Sequence, residues 1–175
     1  MNTMKYLLST LLFSALIISF NFCSKSDDDD DDSNGNENTT TYNFSAKVDG
    51  VLFQYNAHYS FITNPSNSYS IAINFCYNDI WKNWSLQFFG ETTGTYPFTT
   101  GFPSPGDATG SYSEGPTGSV TGYEAVSGSV IVSEIDTVNN TISGTFSFTG
   151  EDENDSTNTI SVTEGTFTKV PESSF

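Results

Sequence analysis

One segment of the sequence combines flat aromatic rings with amide and carboxylate side chains, a combination that suits the binding of sugars. In "YNDIWKNWS", Tyr77, Trp81 and Trp84 stand among asparagine and aspartate residues. Exposed rings can stack on the apolar faces of sugars while the polar groups bind hydroxyls. These three aromatic residues are therefore candidate ligand-binding residues. Because Trp84 also alternates with Leu86 and Phe88, it fits a core position, and Trp81 is the better exposed candidate.

A second segment concentrates oxygen ligands of the kind that Ca²⁺ prefers. "EDENDSTN" places the carboxylates of Glu151, Asp152 and Asp155 in one expected turn. The spacing does not follow the EF-hand loop, which requires Gly at its sixth position and Glu at its twelfth. A weak calcium site is one interpretation, and a solvated turn that protects a sheet edge from aggregation is the other. No other cofactor is expected.

Residues for nucleophilic or zinc chemistry are scarce. The chain has 1 His, His58, and 2 Cys, Cys23 and Cys76. A Ser or Cys nucleophile needs a neighbouring base, and His58 lies inside an expected strand. A zinc site needs several His or Cys ligands. We therefore assign no catalytic and no metal residues, although a carboxylate-based glycosidase, which needs only two acids, remains an alternative.

The charge balance limits the classes of partner. The chain carries 5 Lys plus Arg against 21 Asp plus Glu, a net charge of −16. Nucleic-acid binding is not expected, because the neutralisation of phosphates requires a basic patch. Electrostatic adhesion to anionic lipid is disfavoured for the same reason. Neutral ligands and multivalent cations remain compatible with this charge.

The amino terminus has the pattern of a signal peptide. Met1–Lys5 carries a positive charge, and Leu7–Phe22 is apolar apart from Asn21 and its Ser and Thr positions. This run is shorter than the about 20 apolar residues of a transmembrane helix. Residues 1–22 are therefore predicted to be a signal peptide, with an uncleaved signal anchor as the alternative.

The sequence that follows, "CSKSDDDDDD", resembles the start of Bacteroidetes-type surface lipoproteins. The resemblance implies that Cys23 takes the lipid and that the next residues direct the protein to the outer face of the outer membrane. The implied export signal consists of Ser24, Lys25, Ser26, Asp27, Asp28, Asp29, Asp30, Asp31 and Asp32. Adjacent aspartates repel one another, and the run Ser33–Thr41 has no apolar residue. Residues 23–41 are therefore predicted to be a disordered acidic tether.

From Tyr42 onward, apolar and polar residues alternate with a period of two, which is typical of strands with one buried face. Tyr69–Tyr77 and Ile142–Phe148 are the clearest examples. The segment "NDIWKN" is expected to be a turn. Gly90–Gly122 is rich in Gly, Pro, Ser and Thr, and is expected to be mainly a long surface loop with a short edge strand at "TGTYPF".

Two dipeptides indicate how the strands are connected or interrupted. Asp49-Gly50 predicts a tight hairpin, and Glu164-Gly165 breaks the alternation, which predicts a β-bulge before Phe167. The pattern as a whole gives about eight strands. We predict an all-β domain at residues 42–175, an antiparallel two-sheet sandwich, with a lipocalin-like up-and-down barrel as the alternative.

The strand and turn segments also resemble a known group. "FSAKVDG", "TGTYPF" and "TISGTFSFTG…ISVTEGTF" look like small Bacteroidetes lipoproteins that are grouped as a domain of unknown function. The resemblance spans most of Tyr42–Val170. It implies a location and a fold and carries no catalytic residues.

Together these features predict a lipid-anchored protein of the outer membrane that faces the cell exterior. We expect its domain to be a non-catalytic binding or adhesion module for a glycan or a protein ligand. The alternatives are the glycosidase and a structural coat lipoprotein without a specific ligand.

Overall fold

The computed structural model describes residues 42–62, 67–77 and 79–173. These residues form ten β-strands and no helix, and so contain no helical segment that could cross a membrane. The predicted signal peptide, Cys23 and the acidic tether lie outside the described residues. The strands are β1 (Phe44–Val48), β2 (Val51–Tyr55), β3 (His58–Ile62), β4 (Ser68–Tyr77), β5 (Ile80–Phe88), β6 (Gly94–Pro97), β7 (Ala108–Pro116), β8 (Thr121–Asp136), β9 (Thr141–Asp152) and β10 (Thr159–Pro171).

The strands form one antiparallel sheet in the order β2-β1-β10-β9-β8-β7-β5-β4-β3, and β6 pairs with β8 beside this path. The prediction of an all-β antiparallel fold is confirmed. The strands form one continuous sheet and not two separate sheets, because hydrogen bonds connect every neighbouring pair of strands from β2 to β3. It curls strongly into a half-barrel. The curl brings β3 to the end of β10, where the N–H of Ser173 donates to the C=O of Tyr59 at 2.8 Å.

Bulges explain how one sheet can wrap a core. The register shifts once in β1, and it shifts twice each in the pairings of β8 and β10 with β9. Each bulge bends its strand and increases the local twist. One shift falls at Glu164-Gly165, where Glu164 has a φ of 51°, so the predicted bulge is confirmed. The predicted hairpin at Asp49-Gly50 is also confirmed, with positive φ at both residues and Val48 paired to Val51.

The concave face of the sheet holds the core, and the opposite face is polar. In β9, Ile142, Phe146 and Phe148 are buried, whereas Thr145 and Ser147 are exposed. The alternation read from the sequence therefore assigns the two faces of this strand correctly. Burial of such apolar side chains supplies the main driving force for folding.

The sheet has two ends that differ in the turns they carry. The amino end is where β1 begins, and it also carries the β8–β9 turn (137–140). The far end carries Asp49-Gly50, the β7–β8 turn (117–120) and the β9–β10 turn (153–158).

Candidate functional site

A row of hydroxyl side chains crosses the outer face of the sheet. Strand register places Ser45 beside Thr166, Thr166 beside Thr145, and Thr145 beside Ile131. Thr95 of β6 continues the row beyond Ile131. Neighbouring strands lie about 4.8 Å apart, so these side chains are close enough to contact one ligand together. Ser45 Oγ and Thr166 Oγ1 already share a hydrogen bond of 2.8 Å.

The row runs through an open, shallow concavity of about 490 Å³ on this outer face of the sheet, the face opposite the core. The concavity is lined by Ser45, Ser129, Ile131, Thr145, Phe146, Ser147, Glu164, Gly165 and Thr166. Its lining therefore offers hydroxyl donors and acceptors, a carboxylate, and the exposed apolar side chain of Ile131.

The carboxylate at this concavity is paired with a lysine. The bulge places Glu164 on the outer surface, where Lys47 Nζ lies 2.8 Å from each of its carboxylate oxygens. An exposed pair of this kind contributes little to stability, but it leaves the local charge close to neutral. The concavity thus suits a neutral ligand that carries many hydroxyl groups.

Trp84, one of the three aromatic residues singled out in the sequence, is a core residue. Its side chain is 3 % exposed, and its ring centroid lies 4.7 Å from that of Tyr112 and 5.5 Å from that of Phe53. Its Nε1 is buried without a hydrogen-bond partner. The indole packs edge-on against Phe44 and Phe146, and a ring face can accept a weak N–H···π contact. Trp84 therefore stabilises the core and cannot stack on a ligand from solvent.

Trp81 lies on the other face of the same strand. The segment expected to be a turn already belongs to β5, which begins at Ile80, and side chains on a strand alternate between faces. Trp81 is half-buried, and its Nε1 donates to Thr117 Oγ1 at 3.1 Å. The backbone of Tyr77 pairs with Ile80, while its side chain lies outside the description. The structure therefore does not bring Trp81 and Trp84 together in one platform.

The acidic turn organises itself through hydrogen bonds. Asp152 accepts from the backbone N–H of Asn154 at 2.8 Å and from the side chain of Asn158 at 2.9 Å, which hold its pKa below the ordinary value. Asp155 accepts from the hydroxyl of Thr157 at 2.7 Å. Glu151 is part of β9. In the part of the chain that the structure describes, no three His, Cys, Asp or Glu side chains group closely enough to hold a metal ion.

A polar cluster that the sequence reasoning missed lies on the concave face toward the far end. Tyr112 donates to Glu114 at 2.5 Å, and Lys82 lies 2.9 Å from the same carboxylate oxygen. Burial raises the pKa of Glu114, but the hydrogen bonds from Tyr112 and Lys82 outweigh it, so the pKa of Glu114 is lowered. Burial and the bond to Glu114 raise the pKa of Tyr112. The cluster is internally satisfied and acts as a structural tie between β5 and β7.

This cluster was hidden because Gly90–Gly122 reads as a loop. The structure instead forms β6 and the nine-residue strand β7 there. The only available signal was the two-residue spacing of Tyr112 and Glu114, which places both side chains on one face of a strand.

Comparison with protein families decides where this chain belongs. A family model described as a domain of unknown function (DUF6252) matches residues 40–171. The chain belongs to this family. Comparisons with curated proteins and with solved structures gave no match. The resemblance of the strand segments to a domain of unknown function is thereby confirmed, and the DUF6252 match does not extend to Cys23 or the aspartate run.

The raised pKa of Tyr112 in this DUF6252 domain predicts a particular alkaline instability. A tyrosine with a higher pKa in the folded than in the unfolded state keeps its proton more tightly when folded. Its contribution to the free energy of unfolding is complete below the unfolded pKa of about 10 and is lost as pH rises from there through the folded-state pKa. We therefore expect the free energy of unfolding to fall above pH about 10 in the native protein and to fall less steeply in Tyr112→Phe. Urea unfolding at a series of pH values measures this difference.

The control for this experiment is Tyr42→Phe, because Tyr42 is 42 % exposed. Its unfolding series gives the effect of replacing a tyrosine on the protein surface. At neutral pH, Tyr112→Phe should cost about 1.5 kcal/mol, since it removes a hydrogen bond to a charged acceptor. An unchanged alkaline slope in Tyr112→Phe would contradict the assignment.

Proposed function

We propose that this protein is a lipid-anchored cell-surface protein whose β domain is a non-catalytic binding module for a glycan. The anchor is supported by "CSKSDDDDDD" after the apolar run, with Cys23 as the lipidated residue. The ligand class is supported by a single observation, the concavity of about 490 Å³ with hydroxyl side chains contributed by β1, β8, β9 and β10. We place the domain on the outer face of the outer membrane.

The chemistry of the concavity matches that of a sugar. Hydroxyl groups both donate and accept, so Thr145 and Thr166 can bind sugar hydroxyls in either sense. The methyl groups of these threonines and the side chain of Ile131, which is 46 % exposed, offer apolar contact to the carbon face of a sugar ring. Glu164 supplies a charged acceptor, which forms stronger hydrogen bonds than a neutral one.

The binding test uses the purified protein on an array of neutral glycans, followed by titration calorimetry with the glycan that is retained. In Thr145→Val, which keeps the shape of the side chain and loses the hydroxyl, affinity should fall about threefold to tenfold, because one hydrogen bond contributes about 0.5–1.5 kcal/mol. The melting temperature should change little, since Thr145 is exposed.

The matched control is Thr149→Val, which lies on the same strand and is exposed but is outside the lining of the concavity. It should bind as the native protein does. Equal affinity in Thr145→Val would remove the concavity from the proposal, and no retained glycan would direct the search to a protein ligand. New reducing ends on the retained glycan would show that the protein cleaves it, and a glycosidase would then replace the binding module as the proposed function.

A further inference from the structure

Strand β2 forms a free edge of the sheet and carries two neighbouring exposed apolar side chains. It is the first strand in the order of the sheet, and among the described strands it pairs with β1 alone. Val51 is 66 % exposed and Leu52 is 57 % exposed. Single exposed apolar residues are common on protein surfaces, so their exposure identifies no partner by itself. The backbone beside these side chains is the more specific feature.

The backbone groups at the free edge of β2 are those of Leu52 and Gln54. The two-residue turn between β1 and β2 has positive φ at both positions, and the pair that closes such a turn, here Val48 and Val51, is hydrogen-bonded. Hydrogen-bonded and non-hydrogen-bonded pairs alternate along an antiparallel ladder. The N–H and C=O groups of Leu52 and Gln54 therefore point away from β1. Both residues are exposed, and no described strand pairs with them on that side.

Other strands at the margins of the sheet are protected from pairing with a further chain, and β2 is not. The segment after β10 covers β3, where the N–H of Ser173 donates to the C=O of Tyr59 at 2.8 Å and Glu172 forms a parallel bridge with Tyr59. Strand β6 contains Pro97, which has no N–H to donate. Strand β2, with the sequence VLFQY, has no proline, no charged residue and no register shift against β1. An uncharged, apolar edge of this kind is a template for another strand.

A second copy of β2 is complementary to this edge. In an antiparallel pairing about a two-fold axis at Phe53, Leu52 lies beside Gln54 of the second copy. The outward N–H and C=O groups of each copy then bind those of the other. The same register places Val51 beside Tyr55 of the second copy, and a β-branched residue beside an aromatic ring is a favourable cross-strand pair. Because β2 has no charged residue, no like charges oppose each other within the two strands.

The charges around the free edge also favour an identical partner. The chain has a net charge of −16, which opposes close contact between two copies over most of the surface. Beside the edge, however, Lys47 pairs with Leu52 in the ladder, and its charge is balanced by Glu164 at 2.8 Å. The carboxylate of Asp49 is directed to β10, where it accepts from the N–H of Ser161 at 2.8 Å. Two copies can therefore approach at β2 with little repulsion, and the edge offers no charge that would select a basic peptide.

We propose that the free edge of β2 is a dimerisation site at which two copies of this protein join their sheets. One short strand from each copy buries less than the about 1,200 Å² of a stable protein interface, so the dimer is weak and forms at high local concentration. Dimerisation at β2 requires neither the proposed lipid anchor nor a glycan.

The test is sedimentation velocity of the purified full-length protein from micromolar to millimolar concentration, with detergent micelles in excess so that no micelle holds two copies. Leu52→Lys places a charge on the free edge. Gln54→Pro removes an N–H that points away from β1, so the ladder with β1 keeps its hydrogen bonds. Val120→Lys is the matched control, because Val120 is 45 % exposed in the β7–β8 turn. Melting temperatures confirm that each variant folds, and hydrogen exchange of the β2 amides locates the contact.

We expect the native protein and Val120→Lys to dimerise as concentration rises, and the amides of Leu52 and Gln54 to exchange more slowly as the dimer forms. In Leu52→Lys and Gln54→Pro the dissociation constant of the dimer should rise about tenfold or more, because each substitution acts on both sides of the two-fold axis. A native protein that stays monomeric at every concentration would overturn the dimerisation site. A dimer whose β2 amides exchange at an unchanged rate, and which persists in both edge variants, would also overturn it, because the contact would then lie elsewhere.

Discussion

Replacing Trp84 with alanine should lower the free energy of unfolding of the domain by about 3–5 kcal/mol. The side chain is 3 % exposed and packs against Phe44, Phe53, Tyr112, Phe146 and Phe148. These partners lie on four other strands of the curled sheet, β1, β2, β7 and β9. Removal of the indole therefore leaves a cavity at the centre of the core. Domains of this size are stable by about 5–15 kcal/mol, so the loss is a large fraction of the total.

The control variant, Trp84→Phe, separates volume from hydrogen bonding. Phenylalanine fills much of the same space and removes Nε1, which has no partner in the native protein. Volume-conserving apolar changes usually cost less than about 1.5 kcal/mol. Urea unfolding followed by far-ultraviolet circular dichroism measures both variants. A cost for Trp84→Phe equal to that for Trp84→Ala would show that the indole N–H has a partner that matters.

The strands with a continuous apolar face could be predicted from the sequence. In β4, Tyr69, Ile71 and Ile73 alternate with the small or polar residues Ser70, Ala72 and Asn74, and the first three side chains are buried. The hairpin at Asp49-Gly50 was accessible because Asp-Gly favours a tight turn with positive φ, and the bulge at Glu164-Gly165 was accessible because these residues break the alternation of the strand. Local chemistry was sufficient for these features.

Strand β7 could not be predicted, because its concave face has no continuous series of large apolar residues: Ala108 and Tyr112 are buried, and Gly110 and Glu114 are half-buried. The residues on its concave face are Ala108, Gly110, Tyr112 and Glu114. A Cβ on Gly110 would lie closer than 3.0 Å to the ring of Phe98, so this aromatic ring occupies the space that a side chain of β7 would fill. Glu114 is compatible with the concave face because Tyr112 and Lys82 bind its carboxylate. Both conditions depend on residues that are distant in sequence.

The candidate site was equally inaccessible to sequence reasoning. Ser45, Thr145 and Thr166 are ordinary outward residues of three strands, and only the pairing of β1 with β10 and of β10 with β9 aligns them. Reasoning from "YNDIWKNWS" favoured nearby aromatic residues instead. Because β5 begins at Ile80, the alternation of a strand sends Trp81 and Trp84 to opposite faces. Residues that are close in sequence therefore lie on opposite faces of the sheet here, because side chains alternate along a strand.

The second large effect is expected at Gly144 in β9. An added Cβ would lie closer than 3.0 Å to the carbonyl oxygen of Ile131 and to the ring of Phe167. The carbonyl belongs to β8, whose residue Val132 pairs with Gly144, and Phe167 is fully buried. Neither neighbour can move without disturbing the sheet or the core. Overpacking of this kind typically costs about 1–3 kcal/mol and more where the backbone must shift, so we expect Gly144→Ala to lose about 3 kcal/mol.

Gly101→Ala provides the comparison, because a Cβ at this loop position meets nothing within 4 Å. Surface changes of this kind usually alter the free energy of unfolding by less than about 0.5 kcal/mol. In a strand with free space, alanine would stabilise the fold relative to glycine by about 0.5–1 kcal/mol, because glycine loses more conformational freedom on folding. The sign of the change in the free energy of unfolding of Gly144→Ala, measured by urea unfolding, therefore decides between the two cases. A stabilised Gly144→Ala protein would mean that β8 and the ring of Phe167 do not close over this position, and that the curl of the sheet at β8, β9 and β10 is looser than described.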